Sequence, residues 1–354
     1  MSDAFGWARA PLAQDLHRIE RGGVVYVISD LHMGDGGPTD IFLAKDRDLL
    51  RFIDHVDQSG ATLIVAGDAI DFAQAWLFER ILAAHGKVLG AFSRLAAKGR
   101  MLYVLGNHDH DMRFYQEVLN IPVVHGVDIG GEIRVVHGYE YDPIIGPDLQ
   151  LAERKTRVHH AVERMIGSWL RVPLEHFYNL PNRFGFWFFH KTAILLRARG
   201  RFLRWVQGDD SFLRRLDAEL EYWTRCQLGD PANMFRPVLE ALERSPYQVL
   251  VCGHSHLPGL VRTASGKTYA NTGSWTFTSS HVLRIAPEGV TLTDWLSGRR
   301  YDDRLYRPIL EGKLDGVGYF DWWARHYRGW LRYALPLHKH TPGDAAVAAG
   351  DQDR

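Results

Sequence analysis

Short β-branched runs that break straight into glycine, aspartate and histidine constrain this chain more than any other feature. Val24–Ile28 (VVYVI) runs into Ser-Asp30-Leu-His32, and Thr62–Ala66 runs into Gly-Asp68-Ala-Ile-Asp71. Met101–Leu105 runs into Gly-Asn107-His108-Asp109, and far downstream Gln248–Cys252 runs into Gly-His254-Ser-His256. Such runs have the length and composition of buried strands, and the residues after them mark strand ends. Between the first three, residues about 43–58 show helical spacing and residues about 74–98 read as a long helix. Strand, helix, strand, helix, strand predicts a parallel sheet with crossover helices, an α/β fold. Open α/β sheets gather their sites at the carboxyl ends of strands, so clusters more than 220 residues apart can converge.

The rest of the chain divides by pattern. Val123–Val124 and Ile133–Val136 read as further strands, the stretch 148–245 reads almost wholly helical, and strand signals resume at 248–252, 259–262, 268–271, 281–285 and 290–294. This predicts an α/β domain in two parts, 1–147 and 246–298, interrupted by a helical insert or lid over 148–245. An insert of that length exceeds an ordinary connection and suggests an element with its own task. A Trp- and Arg-rich helical segment follows over 299–340, and 341–354 reads as a disordered tail.

Composition excludes several classes. With 46% hydrophobic and 24% charged residues, wholesale disorder is excluded. Lys+Arg and Asp+Glu stand at 42 each, so bulk charge gives no argument for a nucleic-acid partner, and none is expected. The two cysteines, Cys226 and Cys252, make neither a disulfide framework nor a zinc spacing. With no secretory pattern at the N-terminus and no apolar run of spanning length, the expectation is a cytoplasmic protein.

Each cluster has a bland reading alone. D-x-H and GD-x-x-D are common turn and capping patterns, whereas histidines beside glycine in GNHD and GHSH have no obvious core role. Four in this order, each after a predicted strand, leave the bland reading little room. The order D-x-H, GD-x-x-D, GNH-D, an isolated His and GH-x-H resembles the calcineurin-like metallophosphoesterase superfamily, over roughly residues 24–294. The isolated His has two candidates, His137 and His125, both followed by Gly. His137 is preferred because it follows the stronger strand and lies about 30 residues past Asn107.

The resemblance implies a four-layer αββα sandwich, two mixed sheets flanked by helices, and a cage of seven ligands. Asp30, His32, Asp68 and His256 would hold one ion, and Asp68 would bridge to a second held by Asn107, His137 and His254. Carboxylate, amide oxygen and imidazole together suit Mn²⁺, with Fe or Zn²⁺ as alternatives. Two such ions can share a bridging hydroxide and grip phosphoryl oxygens for in-line attack on a phosphodiester or pyrophosphate. His108 matches the family position that contacts phosphate or protonates the leaving oxygen, and Asp71 the carboxylate that orients it. Asp109 reads as a supporting residue.

Two segments speak to the substrate. Residues 151–204 hold 11 Lys+Arg against 3 Asp+Glu amid clustered aromatics, which suits an anionic, greasy ligand or an anionic membrane surface. Tyr319–Leu335 has helical periodicity with Trp and Arg on separate faces, which fits a membrane interface or a helix packed on the protein. With Tyr269–Trp275 (YANTGSW), these features resemble the UDP-2,3-diacylglucosamine pyrophosphatase branch. They imply a lipid-linked nucleotide substrate and a peripheral place on the inner membrane. The chain departs from that branch at His108, where the branch carries Arg, and in the segment His137–Asp142. A phosphomono- or diesterase acting on soluble nucleotides or phosphoproteins is the alternative enzyme, and a non-catalytic membrane-associated scaffold is the alternative of another class.

Overall fold

The computed structural model describes residues 16–37, 39–42, 44–142, 161, 165, 180–227, 231–276, 279–311 and 320. These form two compact units, one from 16–142, 161 and 165 with 231–311, and one from 180–227 with 320. The predicted helix over 319–335 (apart from Phe320), the predicted tail over 341–354, and residues 148–179 of the predicted insert (apart from 161 and 165) lie outside the described residues.

In the first unit the strands are β1 (Leu16–Ile19), β2 (Val25–Ile28), β3 (Thr62–Ala66), β4 (Met101–Val104), β5 (Val123–Val124), β6 (Gly126–Ile129) and β7 (Ile133–Val135). After the helical stretch come β8 (Val249–Cys252), β9 (Gly259–Arg262), β10 (Thr268–Asn271), β11 (His281–Ala286) and β12 (Gly289–Asp294). One sheet has the order β12-β11-β2-β3-β4-β5 and the other β1-β6-β7-β8-β10-β9. Both are mixed. β2 through β5 run parallel while β11 is antiparallel to β2, and β7, β8 and β10 run parallel while β9 is antiparallel to β10.

Strand alternation builds the layers. Val25 and Val27 of β2 face the other sheet and pack with Ile64, Val104, Val135 and Val251. Ile28 faces the opposite way, toward helices α1 (Asp46–Gln58) and α3 (Phe78–Ala97). Helix α1 forms because Leu49, Phe52, Ile53 and Val56 fall on one buried face and Asp46 and Asp48 sit in its first turn. On the outer face of the second sheet, helix α7 (Pro231–Arg244) lays down Met234, Phe235, Val238 and Leu242. Helices, sheet, sheet and helix make the predicted sandwich.

Local elements differ from the sequence reading in three places. The single helix expected over about 74–98 is two, α2 (Phe72–Ala75) and α3, because Trp76 is left-handed at φ 57° and Leu77 is extended. Strands β1 and β6 and helix α4 (Met112–Leu119) were not anticipated. Among the described residues, the second unit holds a helical hairpin, α5 (Leu180–Gln207) and α6 (Ser211–Gln227), joined across Gly208–Asp210. Gly200 lets the helices approach, since a Cβ there would sit 2.6 Å from Leu213 Cδ2. The last short helix, α8 (Arg307–Leu310), belongs to the first unit.

Candidate metal centre

The loops after β2 and β3 are stitched together before any side chain is considered. Asp30 N donates to Gly67 O, His32 N to Asp68 O, Met33 N to Ala69 O and Asp71 N to Met33 O, at 2.9–3.0 Å. Parallel pairing thus continues past the strand ends, but with Asp30, His32 and Asp68 in the left-handed region at φ 53°, 49° and 52°. His254 and His256 after β8 are left-handed too, at φ 66° and 57°. Five non-glycine residues in that region at one site store backbone strain that surrounding structure must hold.

Glycines make the convergence possible. A Cβ on Gly67 would sit 2.5 Å from the His137 ring, one on Gly106 would overlap the Asp68 carboxylate, and one on Gly253 would overlap Asp30. Asp109 braces the same joints, accepting from Ala69 N at 3.0 Å, Gly106 N at 2.6 Å and the Tyr103 hydroxyl at 2.6 Å.

The side chains meet in two adjoining groups. In one, His256 Nε2 lies 3.1 Å from Asp30 Oδ1 and 3.2 Å from His32 Nε2, and His32 Nε2 lies 3.8 Å from Asp68 Oδ2. In the other, His137 Nε2 lies 3.2 Å from Asp68 Oδ2 and 3.1 Å from Asn107 Oδ1, which is itself 2.9 Å from His254 Nδ1. Asp68 Oδ2 faces both. His137 is fully buried, while the other candidate, His125, is exposed and joins neither group.

Three of the imidazoles are fixed from behind. His32 Nδ1 is 3.2 Å from Asp71 Oδ2, His137 Nδ1 is 2.8 Å from the Ala66 carbonyl, and His254 Nε2 is 2.9 Å from Asp142 Oδ2. An acceptor at the outer nitrogen holds the proton there and leaves the lone pair of the inner nitrogen aimed at the group's centre. This donor set fits divalent cations. Metal–ligand bonds of about 2.0–2.2 Å give coordination polyhedra with edges of roughly 3.0–3.6 Å, and most donor separations above are of that size.

Charges in the cage are strongly coupled. Burial pushes the Asp68 carboxyl up, but the His137 and His108 rings outweigh it and hold Asp68 well below the usual carboxylate range. Burial likewise opposes ionisation of Asp30, yet His256 keeps its carboxyl lowered. Burial depresses His137, but Asp68 raises it to about 10. A cation entering this cage would displace that proton. His108 stands beside the groups, its Nδ1 3.2 Å from Asp71 Oδ1. Burial lowers it, and Asp71 and Asp68 together carry it up to about 9.

Asp71, expected to orient His108, touches His32 as well. Several supporting residues escaped the sequence reading. Asp142 reaches His254, although its partner is 112 positions away. Ser29 Oγ donates to Asp30 Oδ2 and lies 2.5 Å from Thr272 Oγ1. Trp275 N donates to Asp30 O at 3.0 Å, and Asn271 Nδ2 to Gly253 O at 2.7 Å. The segment Asn271–Trp275 thus props the loops bearing Asp30 and His254; its run of Asn, Thr, Gly and Ser after a strand was the available signal.

The profile of the calcineurin-like phosphoesterase family matches residues 23–258, well over half of the chain. The chain belongs to that family, whose members use a dimetal centre, and is a hydrolase acting on phosphoric esters. Among solved structures it is similar to Yfce, a phosphoesterase from E. coli, at 13% identity over 78% of this chain and 96% of that chain, TM-score 0.37. It is similar to a dimetal phosphatase from Danio rerio at 14% identity over 77% and 95%, TM-score 0.35. A third is a cold-active protein-tyrosine phosphatase from Shewanella, at 13% identity over 81% and 82%, TM-score 0.34. No curated protein gives a significant match.

Proposed function

We propose that this protein hydrolyses a phosphodiester or pyrophosphate bond. Asp30, His32, Asp68 and His256 would hold one divalent ion, and Asp68, Asn107, His137 and His254 would hold a second. The observation that carries this reading is the anchoring of three imidazoles at their outer nitrogens, which aims three lone pairs at two adjoining points. Hard carboxylate and amide oxygens mixed with imidazole favour Mn²⁺, with Fe or Zn²⁺ as alternatives. Two divalent ions, when bound, supply an activated water at neutral pH and a clamp on the phosphoryl oxygens.

The remaining work falls to the chain. Asp71 holds His108 through Nδ1 at 3.2 Å and, with Asp68, raises its pKa above the ordinary imidazole value, which places His108 to donate to the leaving oxygen. Asp71 also holds His32, so one carboxylate orients a ligand and the acid together. The substrate we favour is a lipid-linked nucleotide such as UDP-2,3-diacylglucosamine, met at the cytoplasmic face of a membrane. The basic, aromatic composition of 151–204 supports it.

Hydrolysis of bis-p-nitrophenyl phosphate with and without Mn²⁺, alongside metal analysis of Asp68→Ala, tests the cage. The variant should lose metal and activity together; full metal content at the wild-type rate would overturn the bridging assignment. UDP-2,3-diacylglucosamine in detergent, compared with cyclic nucleotides, tests the substrate. Brisk turnover of the cyclic nucleotides with none of the lipid would sink that part alone.

A further inference from the structure

His110 and Tyr139 meet beside the cage without entering it. His110 stands three positions past Asn107 and Tyr139 two past His137, so each extends a loop that carries a candidate ligand of the second ion. His110 Nε2 lies 3.2 Å from the Tyr139 hydroxyl, and the two rings stand edge to face with centroids 5.6 Å apart. The Tyr139 ring is in turn 6.0 Å from that of His137. Both residues are half-buried, whereas their neighbours Asp109 and Tyr141 are buried. Tyr139 falls in the segment where the sequence departs from the pyrophosphatase branch, so the resemblance assigns it no task.

A turn that only glycine allows puts Tyr139 there. Gly138 has φ 113°, and a Cβ on it would sit 2.6 Å from Met234 Cε and 3.1 Å from Cys252 Cβ. Its N–H donates to Glu140 Oε2 at 2.9 Å. Past it the side chains divide: Tyr141 enters the core with Met234 and Phe235, Asp142 reaches His254, and Tyr139 goes to His110. Burial raises the Tyr139 hydroxyl above its ordinary value, and the charges of Glu140, Asp68 and Asp109 raise it further. The hydroxyl is thus close enough to the cage to feel Asp68.

A phenol hydroxyl gives one hydrogen bond and accepts another. When His110 Nε2–H donates to the phenol oxygen, the hydroxyl proton is left to meet an oxygen of the substrate. The phenol is a neutral donor, and a hydrogen bond between neutral groups is worth about half of a charge-assisted one. Among the described residues, no Lys or Arg is among the charges acting most strongly on Asp30, Asp68, His108 or His137. A phosphomonoester brings a third terminal oxygen and a second negative charge, which a guanidinium or ammonium would balance. A diester puts an ester oxygen of little charge in that position, and a phenol is matched to it.

We propose that the Tyr139 hydroxyl, oriented by His110, donates to the ester oxygen that stays on phosphorus, and that this contact selects a phosphodiester monoanion over a phosphomonoester dianion. The proposal deepens the diesterase reading given above and rests on it. Tyr139 touches substrate, and His110 is a positioning residue acting through it.

Tyr139→Phe keeps the ring and removes the hydroxyl. With bound Mn²⁺ unchanged by metal analysis, it should lower kcat/KM for bis-p-nitrophenyl phosphate about three- to tenfold, the loss of one neutral hydrogen bond. For p-nitrophenyl phosphate the fall should be at most about twofold. Diethyl phosphate gives a readout without chemistry. In calorimetry on the Mn²⁺-loaded protein its affinity should fall by the same factor in the variant, while that of inorganic phosphate should hold. His110→Ala should show part of the loss, and His110→Gln, whose amide can donate, should recover it. His110→Ala added to Tyr139→Phe should lower nothing further. Equal binding of diethyl phosphate by wild type and Tyr139→Phe overturns the proposal, as does loss of metal in that variant or an equal fall for both nitrophenyl esters. If wild type hydrolyses neither ester, the diesterase reading fails by itself, and the calorimetric comparison still decides the contact.

Discussion

His254 is gripped at both ring nitrogens, by Asn107 Oδ1 at 2.9 Å on Nδ1 and by Asp142 Oδ2 at 2.9 Å on Nε2. The carboxylate fixes which nitrogen keeps the proton and so how the ring is oriented. Asp142→Asn should therefore weaken binding of the second ion about 10–100-fold while leaving the fold intact. A titration against a metal buffer, read by bound-metal analysis, checks it; unchanged affinity would strip Asp142 of a positioning role. The residues facing the centre were legible in the sequence because each cluster follows its own strand, with glycine or serine just before the first ligand in every cluster except that of His137, which follows Val136 directly. Asp142 was not. It belongs to a short turn after His137, and its partner is supplied by a strand far along the chain. The left-handed backbone at Asp30, His32 and Asp68 was equally hidden, since Asp and His tolerate that region better than most residues but occupy it at only a small fraction of positions, and nothing local in the sequence marks which.

Helix α3 is broken from within at His85, whose backbone (φ −120°, ψ 17°) leaves the helical region. Its side chain explains the cost. Nε2 lies 3.0 Å from Asp40 Oδ2 and Nδ1 lies 2.8 Å from Asp46 Oδ1, with the Phe42 ring packed edge-on at 5.4 Å. Asp40 also accepts from Gly34 N and Gly36 N, at 3.0 and 2.9 Å. One imidazolium thus ties α3 and the start of α1 to the loop that follows His32. Burial opposes its charge, but Asp40 and Asp46 raise its pKa from 6.5 to about 9. Because the folded value exceeds the unfolded one, the stabilisation is complete below pH 6.5 and is lost as pH rises through 9. The shift corresponds to at most about 3 kcal/mol. Urea unfolding across that window should show wild type losing its advantage over His85→Gln as pH rises; parallel curves would remove the ion pair from the account. Elements with strong apolar periodicity, such as α1 and β3, were readable from sequence. Strand β6 (GVDI) was not, because Gly126 and Asp128 read as loop, and β1 (LHRI) shows only two apolar positions in a half-exposed edge strand.

At the scale of the whole molecule, the described chain holds two units with different sources of order. The four layers were legible because the strand-end motifs resemble those of a family with that architecture, and the helical stretch was legible as a change of pattern. How that stretch is shared was not. α7 packs under Tyr269 and Tyr306 in the first unit, an arrangement set by pairing of Phe235 with strands that follow it in the chain. The candidate metal ligands all lie in the first unit, where five left-handed residues each cost about 1–3 kcal/mol. A ligand that binds only the folded state adds about 2.7 kcal/mol at a hundredfold excess over its Kd. That gain should appear where the strain is held. Hydrogen exchange followed segment by segment with Mn²⁺ and with a chelator should show metal slowing exchange at 29–33, 67–71, 106–109 and 253–256. Exchange in α5 and α6 should not change, because that hairpin is ordered by helix packing and contributes no candidate ligand. Equal slowing in both units would mean that metal binding orders the chain globally, and no slowing at the strand ends would mean that their strained backbone is held without an ion.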